Sequence, residues 1–311
     1  MPVAIATSDL TKRFPGVLAV DRLRFEVHPG EIFGLVGPDG AGKTTTLRML
    51  AGVLTPDSGS AAVAGFDIVR DPEAAKAHIS YMPQRFGLYE DLTVEENIRF
   101  YADVFGVPRA DREQRSRQLL DAAGMQQFIT RLAGKLSGGM KQKLGLVCAL
   151  IHRPRVILLD EPTNGVDPVS RRDFWRILYS LLDKGIAILM STAYLDEAER
   201  CHRVALLHQG RILFCETPAK LKTHLKGAVL TVVAPDPRRV QAALNDVGGV
   251  LNALLVGDGV HLVVDDATRR IPELRAKLQE AGVLFDRLEE VVPTIEDLFV
   301  AATSGTDGKS T

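Results

Sequence analysis

The sequence predicts an α/β fold over about its first 226 residues and a smaller α+β domain after them. Apolar runs at residues 31–36, 156–159 and 187–191 carry apolar side chains on both faces, which is typical of parallel strands buried between helices. Helical patterns follow at residues 45–51 and 195–203. After residue 227 the predicted order changes to β-α-β-β-α-β, so a domain of another kind begins there.

The N-terminal segment, residues 3–27, alternates apolar and polar side chains. Turn pairs lie within it at Pro15-Gly16 and just after it at Pro29-Gly30. Alternation with period two between Pro/Gly turns predicts antiparallel strands. We therefore expect an antiparallel region before the parallel sheet begins.

A glycine-rich loop, GPDGAGKTT at residues 37–45, separates the first buried strand from a helix. It satisfies the pattern GxxxxGK(S/T), whose backbone N–H groups surround phosphate oxygens at the positive end of a helix. Lys43 is expected to reach the β- and γ-phosphates, and the Thr44 hydroxyl to bind Mg²⁺. The alternative, a glycine-rich turn with a surface lysine, is disfavoured by the flanking strand and helix. The predicted binding residues are Gly37, Pro38, Asp39, Gly40, Ala41, Gly42, Lys43, Thr44 and Thr45.

Two adjacent carboxylates, Asp160 and Glu161, end the apolar run at residues 156–159. The carboxyl ends of parallel strands form the edge where ligands bind, and paired carboxylates there are costly unless cations or protons compensate them. Asp160 fits a partner of Mg²⁺, and Glu161 fits a base that acts on an attacking water. The alternative is a pair that only caps a turn before Pro162.

The stretch between these motifs, residues 93–132, is rich in helical patterns. Leu119 and Leu120 lie on one side of a predicted helix. Arg112 and Arg115 lie on the other. The heptapeptide LSGGMKQ follows at residues 136–142, and a further helix is predicted at residues 140–151.

In this order, the phosphate loop, LSGGMKQ and the carboxylate-tipped strand resemble the nucleotide-binding subunits of ATP-binding-cassette (ABC) transporters. The resemblance covers about residues 3–221, and LSGGMKQ is its most specific mark. It implies a P-loop NTPase cassette at residues 1–226 with a helical subdomain at about residues 90–150. It also implies that the chain binds ATP with Mg²⁺ and hydrolyses it.

The resemblance further implies roles for individual residues. Phe14 matches an aromatic residue that stacks on adenine, and Gln84 in YMPQ matches the glutamine that contacts Mg²⁺ and the attacking water. Asp167 matches the loop that crosses a dimer interface. Ser137 and Gly139 match residues that contact the γ-phosphate bound to the opposite subunit, and Gly138 between them is included among the predicted nucleotide-binding residues. The full predicted catalytic set is Lys43, Gln84 and Glu161, and the metal set is Thr44, Gln84 and Asp160.

A subunit of this family works with other chains. The resemblance implies a separate transmembrane permease, and residues 86–90 are candidates for contact with it; packing within the helical subdomain is the alternative for Leu88 and Tyr89. It also implies a homodimer, or a heterodimer with another ABC ATPase, on the cytoplasmic face of the cell membrane. The C-terminal extension resembles those of drug and polysaccharide exporters, so we expect the ATPase to energise export.

Three positions depart from the family pattern. Phe14 replaces the commoner tyrosine and keeps the stacking face, whereas Asp39 replaces the usual asparagine with a carboxylate that would weaken nucleotide affinity. Ala193 occupies the position of a histidine that contacts the γ-phosphate, and alanine has no donor. Tyr194 is the less suitable substitute, because neighbouring side chains on a strand-like backbone point to opposite faces. Hydrolysis is therefore less firmly predicted than ATP binding.

Composition excludes some classes of function. The 311-residue chain has a net charge of -1, which gives no electrostatic footprint for nucleic acid. Its three cysteines lack CxxC spacing, which suits a reducing cytosol, and no apolar run approaches the ~18 residues of a membrane span. Two alternatives to a transporter ATPase stay open. The first is a soluble ABC protein that works in translation or DNA repair. The second is a regulatory or slowly hydrolysing ABC subunit that is paired with a second ATPase.

The C-terminal domain, residues 227–302, is predicted to be ferredoxin-like from its order of elements. Strands are expected at residues 228–234, 250–256, 260–264 and 283–288, and helices at residues 238–247, 272–281 and 294–302. Residues 228–302 hold 7 Lys/Arg and 12 Asp/Glu, a net charge of -5 that again disfavours nucleic acid. Because it shows no cluster of acid, histidine and nucleophile, we expect a structural or dimer-stabilising role. Residues 303–311 are predicted to form a disordered tail.

Overall fold

The computed structural model describes residues 3–85 and 87–304. Its contacts divide the chain into two compact units, Met1–Cys215 and Glu216–Thr311. This division lies eleven residues before the sequence-based boundary at residue 226. The difference arises because a helix at Pro218–Lys222 packs against a helix at Ile295–Ser304, so that it belongs to the second unit.

The first unit contains ten strands and seven α-helices among its described residues. Its strands are β1 Ile5–Phe14, β2 Val17–Val27, β3 Ile32–Val36, β4 Ser58–Val63, β5 Phe66–Asp67, β6 Ile79–Met82, β7 Val156–Asp160, β8 Ala187–Thr192, β9 Arg203–His208 and β10 Arg211–Glu216. Its helices are α1 Lys43–Leu50, α2 Pro72–Lys76, α3 Val94–Val104, α4 Arg109–Ala122, α5 Gly138–Leu150, α6 Pro168–Leu182 and α7 Leu195–Ala198.

A six-stranded sheet with the order β10-β9-β3-β8-β7-β6 forms the centre of this unit. The pairs β3/β8, β3/β9, β7/β8 and β6/β7 are parallel, and every residue of β3, β7 and β8 is buried. The sequence-based prediction of a buried parallel sheet is therefore confirmed. Since β3, β7 and β8 run in one direction, the segments that follow them meet at one edge of the sheet.

A four-stranded sheet with the order β2-β1-β4-β5 accompanies the central one. Strands β1 and β2 are antiparallel, as the alternation of residues 3–27 predicts. The two sheets share a hydrophobic core in which the rings of Phe25 and Phe33 stack with centroids 5.3 Å apart.

The helical region begins with α3, which Thr93 caps by accepting a hydrogen bond from the backbone N–H of Glu96. Helix α4 follows, with Leu120 buried as expected. Two arginines predicted on its polar side form hydrogen bonds with backbone carbonyls. Arg112 donates to the Val107 carbonyl at 2.6 Å, and Arg115 donates to the Leu150 carbonyl at 2.5 Å. Their long side chains therefore tie α4 to its neighbours.

One helix is shorter than the sequence predicts. The pattern at residues 195–203 predicts a helix, but α7 ends at Ala198 and Arg203 begins β9. Strand β9 pairs with β3, more than 160 residues earlier, with Phe33 opposite Arg203. A pairing between segments so far apart in sequence has no local signal, and sequence reasoning missed both β9 and β10.

The second unit contains helix α8 Pro218–Lys222, strand β11 Ala228–Val233, helix α9 Pro237–Leu244, strands β12 Val250–Val256 and β13 Gly259–Val264, helix α10 Ala267–Glu280, strand β14 Arg287–Val291 and helix α11 Ile295–Ser304. Its sheet has the order β12-β13-β11-β14, and all three pairs are antiparallel. The order of elements from β11 to β14 is the one that the sequence predicts.

Several bounds in this unit differ from the prediction. Helix α10 begins five residues before Pro272, because the Asp266 side chain caps it by accepting from the backbone N–H of Arg269. Strand β14 begins at Arg287 and shares only two residues with the predicted strand at residues 283–288. Helix α11 extends to Ser304, and the rest of the predicted tail, residues 305–311, lies outside the described residues.

Candidate functional site

The glycine-rich loop connects β3 to α1 and closes on the ammonium of Lys43. Lys43 Nζ donates to the carbonyls of Gly37 at 2.8 Å and Pro38 at 3.0 Å. Gly42 has a φ of 103°, and a Cβ there would lie 2.4 Å from the Ala19 carbonyl oxygen. Both the left-handed conformation and the close approach require glycine at this position.

A cleft of about 430 Å³ opens over this loop. It brings together part of the predicted set, and its lining residues are Phe14, Val17, Ala19, Asp39, Gly40, Ala41, Gly42, Lys43, Thr44, Thr45, Gln84 and Glu161. A larger cleft of about 590 Å³ lies against α4, α5 and α6 and contains none of the predicted site residues. Chemistry rather than size therefore identifies the smaller cleft as the candidate site.

Asp160 is almost fully buried at the end of β7, where three hydroxyls point at its carboxylate. Thr44 Oγ1 lies 3.0 Å and Ser191 Oγ 2.7 Å from Oδ1, and the Tyr81 hydroxyl lies 3.3 Å from Oδ2. Burial, together with the nearby Asp160 charge, raises the pKa of Tyr81, so this hydroxyl stays a donor at neutral pH. The adjoining oxygens of Thr44 and Asp160 form a hard donor set of the kind that Mg²⁺ prefers.

Glu161 adopts a left-handed backbone conformation with a φ of 48°. Its N–H group donates to the Ser191 carbonyl at 3.1 Å and to Ser191 Oγ at 3.0 Å, which holds this unfavourable conformation in place. The turn directs its carboxylate at the loop, where Oε1 lies 3.1 Å from Lys43 Nζ. Gln84 Nε2 lies 3.1 Å from the other oxygen, Oε2.

The three departures from the family pattern have different surroundings. Phe14 is 43% exposed at the cleft, and Asp39 is exposed with Oδ1 3.9 Å from Lys43 Nζ. Ala193 is exposed just beyond the end of β8. Tyr194 does not line the cleft; it lies just past the end of β8, and its hydroxyl lies 3.2 Å from Asn164 Oδ1.

The residues matched to the opposite subunit do not line this cleft. Ser137 caps α5 by accepting from the N–H of Met140 at 3.3 Å, and Asp167 caps α6 by accepting from the N–H of Ser170 at 2.9 Å. Gly139 on α5 packs closely on Ser170 of α6. A Cβ added at Gly139 would lie 2.3 Å from the Cβ of Ser170. Gly138, the first residue of α5, has open space around it. Phe86, a candidate for permease contact, lies outside the described residues.

Sequence reasoning missed four polar residues near the site. Ser191 sits at the end of the strand beside β7, so its position could have been inferred from the adjacency of buried strands. Glu197 is fully buried and accepts from Thr163 Oγ1 at 2.6 Å and Thr192 Oγ1 at 2.7 Å; nothing in the local pattern distinguishes it from surface acids. The other two missed residues are Tyr81 and Asn164.

Comparisons with known proteins agree with this geometry. Residues 20–164 match the family described as ABC transporter. The probable multidrug ABC transporter ATP-binding protein YbhF of Escherichia coli is 45% identical over 307 residues, which are 97% of this chain and 52% of YbhF. The Nod factor export ATP-binding protein I of Rhizobium etli is 34% identical over 302 residues, 96% of this chain and 93% of that protein. The chain belongs to the ABC transporter ATP-binding proteins. It spans about half the length of YbhF.

A solved structure of an ATP-binding subunit of an ABC transporter superposes on this ABC protein with a TM-score of 0.65 and 31% identity. The superposition covers 71% of this chain and 92% of that structure. Within residues 3–85 and 87–304, no helix combines the length and the apolar composition needed to cross a membrane.

Proposed function

We propose that this chain is an ATP-binding and ATP-hydrolysing subunit of an ABC transporter and energises export through a separate transmembrane permease. The arrangement of four side chains at the end of the central sheet carries the proposal. Thr44 Oγ1 lies 3.0 Å from Asp160 Oδ1, and Lys43 Nζ lies 3.1 Å from Glu161 Oε1. This arrangement supports Lys43 as a cation for phosphates, Thr44 and Asp160 as an oxygen pair for a metal, and Glu161 as a base for water.

Mg²⁺ fits the oxygens of Thr44 and Asp160, and Gln84 is the third predicted ligand. When bound, the ion offsets negative charge on the phosphates. Glu161 acts as the base that orients and deprotonates the attacking water. Phe14, exposed at the mouth of the cleft, offers a ring face on which adenine stacks.

A second ATPase subunit completes the site in this proposal. Ser137, Gly138, Gly139 and Asp167 do not line the cleft of their own chain, which supports a role toward nucleotide bound by a facing subunit. The amino end of α5, with Ser137 as its cap, suits a phosphate because helix starts favour anions. The partner is a second copy or another ABC ATPase.

The names of relatives support export as the direction of transport, since they include a multidrug transporter and a Nod factor exporter. The permease chooses the substrate. The subunit acts at the cytoplasmic face of the cell membrane and has no nucleic-acid partner.

The strand order β12-β13-β11-β14 supports a ferredoxin-like second unit, for which we propose a structural or dimer-stabilising role.

The second candidate function is an ATP-binding subunit that hydrolyses slowly and depends on a paired ATPase. Ala193 favours it, because the position beyond β8 carries no donor for the γ-phosphate. Steady-state phosphate release by the purified chain separates the two candidates. Co-purification with a membrane permease tests the transport assignment against a soluble role.

Replacement of Lys43 tests the nucleotide site. Lys43→Ala is expected to abolish detectable binding of a labelled ATP analogue, because the phosphates lose the cation that the loop positions for them. Lys76→Ala is the matched control, since Lys76 pairs with Glu73 on the surface of α2, outside the cleft. Equal affinity in Lys43→Ala and the wild type would overturn the site assignment.

A further inference from the structure

Asn164 and Tyr194 connect the segment after β8 to the candidate base. Asn164 Nδ2 lies 3.3 Å from Glu161 Oε2, and the Tyr194 hydroxyl lies 3.2 Å from Asn164 Oδ1. Asn164 follows Glu161 by three residues within one turn, whereas Tyr194 comes thirty residues later, just past the end of β8. The hydroxyl of Tyr194 is thus two hydrogen bonds from the carboxylate that acts on water.

The chemistry of the three groups fixes the direction of both bonds. The Glu161 carboxylate, whose Oε1 lies 3.1 Å from the Lys43 ammonium, presents its oxygens as acceptors. Asn164 must therefore turn its amide nitrogen to Glu161 and its oxygen to Tyr194. An amide oxygen can only accept, so the Tyr194 hydroxyl donates. Replacement of that hydroxyl by hydrogen would leave the Asn164 oxygen without this donor.

Tyr194 is held in place at both its ring and its backbone. The Arg171 guanidinium lies 4.7 Å from the centroid of the ring, a cation–π distance. The backbone N–H of Tyr194 donates to Thr192 Oγ1 at 3.0 Å, and Thr192 in turn donates to the buried Glu197 at 2.7 Å. These contacts fix the position of the hydroxyl.

The contacts on Glu161 divide between its two oxygens. The amides of Gln84 and Asn164 both bind Oε2, at 3.1 and 3.3 Å, while Lys43 binds Oε1. Once Lys43 turns to a phosphate, the two amides still hold the carboxylate by one oxygen. Oε1 is then the oxygen that is free to accept a proton from water.

We propose that Tyr194 is a positioning residue of the ATPase site: its hydroxyl fixes Asn164, and Asn164 fixes the orientation of Glu161. The inference rests on the proposed hydrolytic function. Tyr194 is the neighbour of Ala193 in sequence, but it does not replace the missing histidine. The histidine would contact the γ-phosphate, whereas Tyr194 acts on the base.

Tyr194→Phe tests the inference, because it keeps the ring over Arg171 and removes only the hydroxyl. We expect kcat to fall about 3- to 10-fold with KM for ATP unchanged, the effect of one neutral hydrogen bond felt in the transition state. Tyr179→Phe is the matched control: Tyr179 is 40% exposed against 37% for Tyr194, and its hydroxyl donates to the Arg200 carbonyl at 3.0 Å outside this network. Its kcat should equal that of the wild type.

A double variant separates positioning from a general structural effect. If Tyr194 acts through Asn164, Asn164→Ala combined with Tyr194→Phe should be no slower than Asn164→Ala alone. If the two losses multiply instead, Tyr194 does not act through Asn164 and the inference is wrong. Thermal melting of each variant checks that the fold is retained.

A spectroscopic measurement without nucleotide gives a readout independent of turnover. The side-chain amide resonance of Asn164, assigned by its loss in Asn164→Ala, should move in Tyr194→Phe and stay in place in Tyr179→Phe. An unmoved resonance, or an active wild type with an equally active Tyr194→Phe, would overturn the inference. A wild type that releases no phosphate overturns the proposed function itself, and the inference with it.

Discussion

Glu161 depends on its neighbours for both its backbone and its side chain. A φ of 48° is uncommon for a residue with a side chain, and here Ser191 holds the backbone while Lys43 and Gln84 hold the carboxylate. Motif spacing predicts that this residue is the base. The spacing carries no information about how the carboxylate is oriented, which is decided by side chains from three other segments.

At the same scale, Ala193 is the residue most expected to limit turnover. A charge-assisted hydrogen bond to the γ-phosphate contributes about 1.5–3 kcal/mol, so its loss slows hydrolysis by roughly 10–150-fold. Ala193→His is expected to raise kcat within this range while ATP affinity changes little. Steady-state phosphate release and equilibrium binding measure the two quantities.

The control for Ala193→His is Ala193→Gln, which adds a side chain of similar length without a ring that can become charged. It should raise kcat less than the histidine does. If the wild type already hydrolyses ATP at the rate of its relatives and Ala193→His leaves kcat unaltered or lowers it, the missing histidine is compensated and the argument fails.

At the scale of elements, a buried ion pair joins helix α11 to the sheet of the second unit. Nδ1 of His261, on β13, lies 3.0 Å from Oδ1 of Asp297, on α11. Both side chains are largely buried. The hydrogen bond with Asp297 raises the pKa of His261 above its usual value near 6.5. Despite the opposing effect of burial, the bonds from His261 and Thr294 lower the pKa of Asp297.

These shifts predict how the stability of the second unit varies with pH. A raised histidine pKa gives stabilisation that is complete below the unfolded value of about 6.5 and is lost as pH rises through the folded value. The lowered Asp297 pKa gives stabilisation above about 3.8 that is lost as pH falls through the folded value. We therefore expect the melting temperature to be highest in mildly acidic solution and to fall as pH rises above about 6.5, by about 4–8 °C for each kcal/mol lost.

Calorimetry of the full chain at several pH values measures this trend. His261→Gln should remove the fall above about pH 6.5, whereas His28→Gln, at an exposed site in the first unit, should leave it in place. Fluorescence of Trp175, the only tryptophan, reports separately on the first unit. A pH trend that survives in His261→Gln would show that another group causes it.

At the scale of the whole molecule, the proposed site needs two chains. Glu161→Gln removes the proposed base but keeps an amide that occupies the same space, so water activation should slow about 10²–10⁴-fold with ATP binding retained. The change also releases Lys43 from its 3.1 Å contact with the Glu161 carboxylate. Closed dimers should then accumulate with ATP, and light scattering should show about twice the 33.9 kDa mass of one chain.

The double variant Glu161→Gln, Lys43→Ala is the control for dimerisation. It lacks the positioned cation for phosphates and should stay monomeric at the same ATP concentration. If Glu161→Gln alone stays monomeric at saturating ATP, with the permease also present, a site shared between two chains is contradicted.

The sequence by itself determined those features that depend on short segments. The pattern at residues 37–45 predicts the phosphate loop because its glycines serve local backbone needs, such as the φ of 103° at Gly42. The apolar runs predict β3 and β7 because a strand buried on both faces is apolar throughout. Element order likewise predicted the second unit, although the bounds of β14 and α10 were displaced where a cap or a distant pairing decided them.

Only the tertiary structure decided which side chains meet. Thr44 and Asp160 are 116 residues apart in sequence, Tyr194 reaches Asn164 from just past the end of β8, and β9 pairs with β3 although more than 160 residues of sequence separate them. Each contact results from the order of strands in the sheet and from where each strand ends. These properties follow from the packing of the whole unit, because a local pattern specifies the conformation of its own segment and not the segment against which it packs.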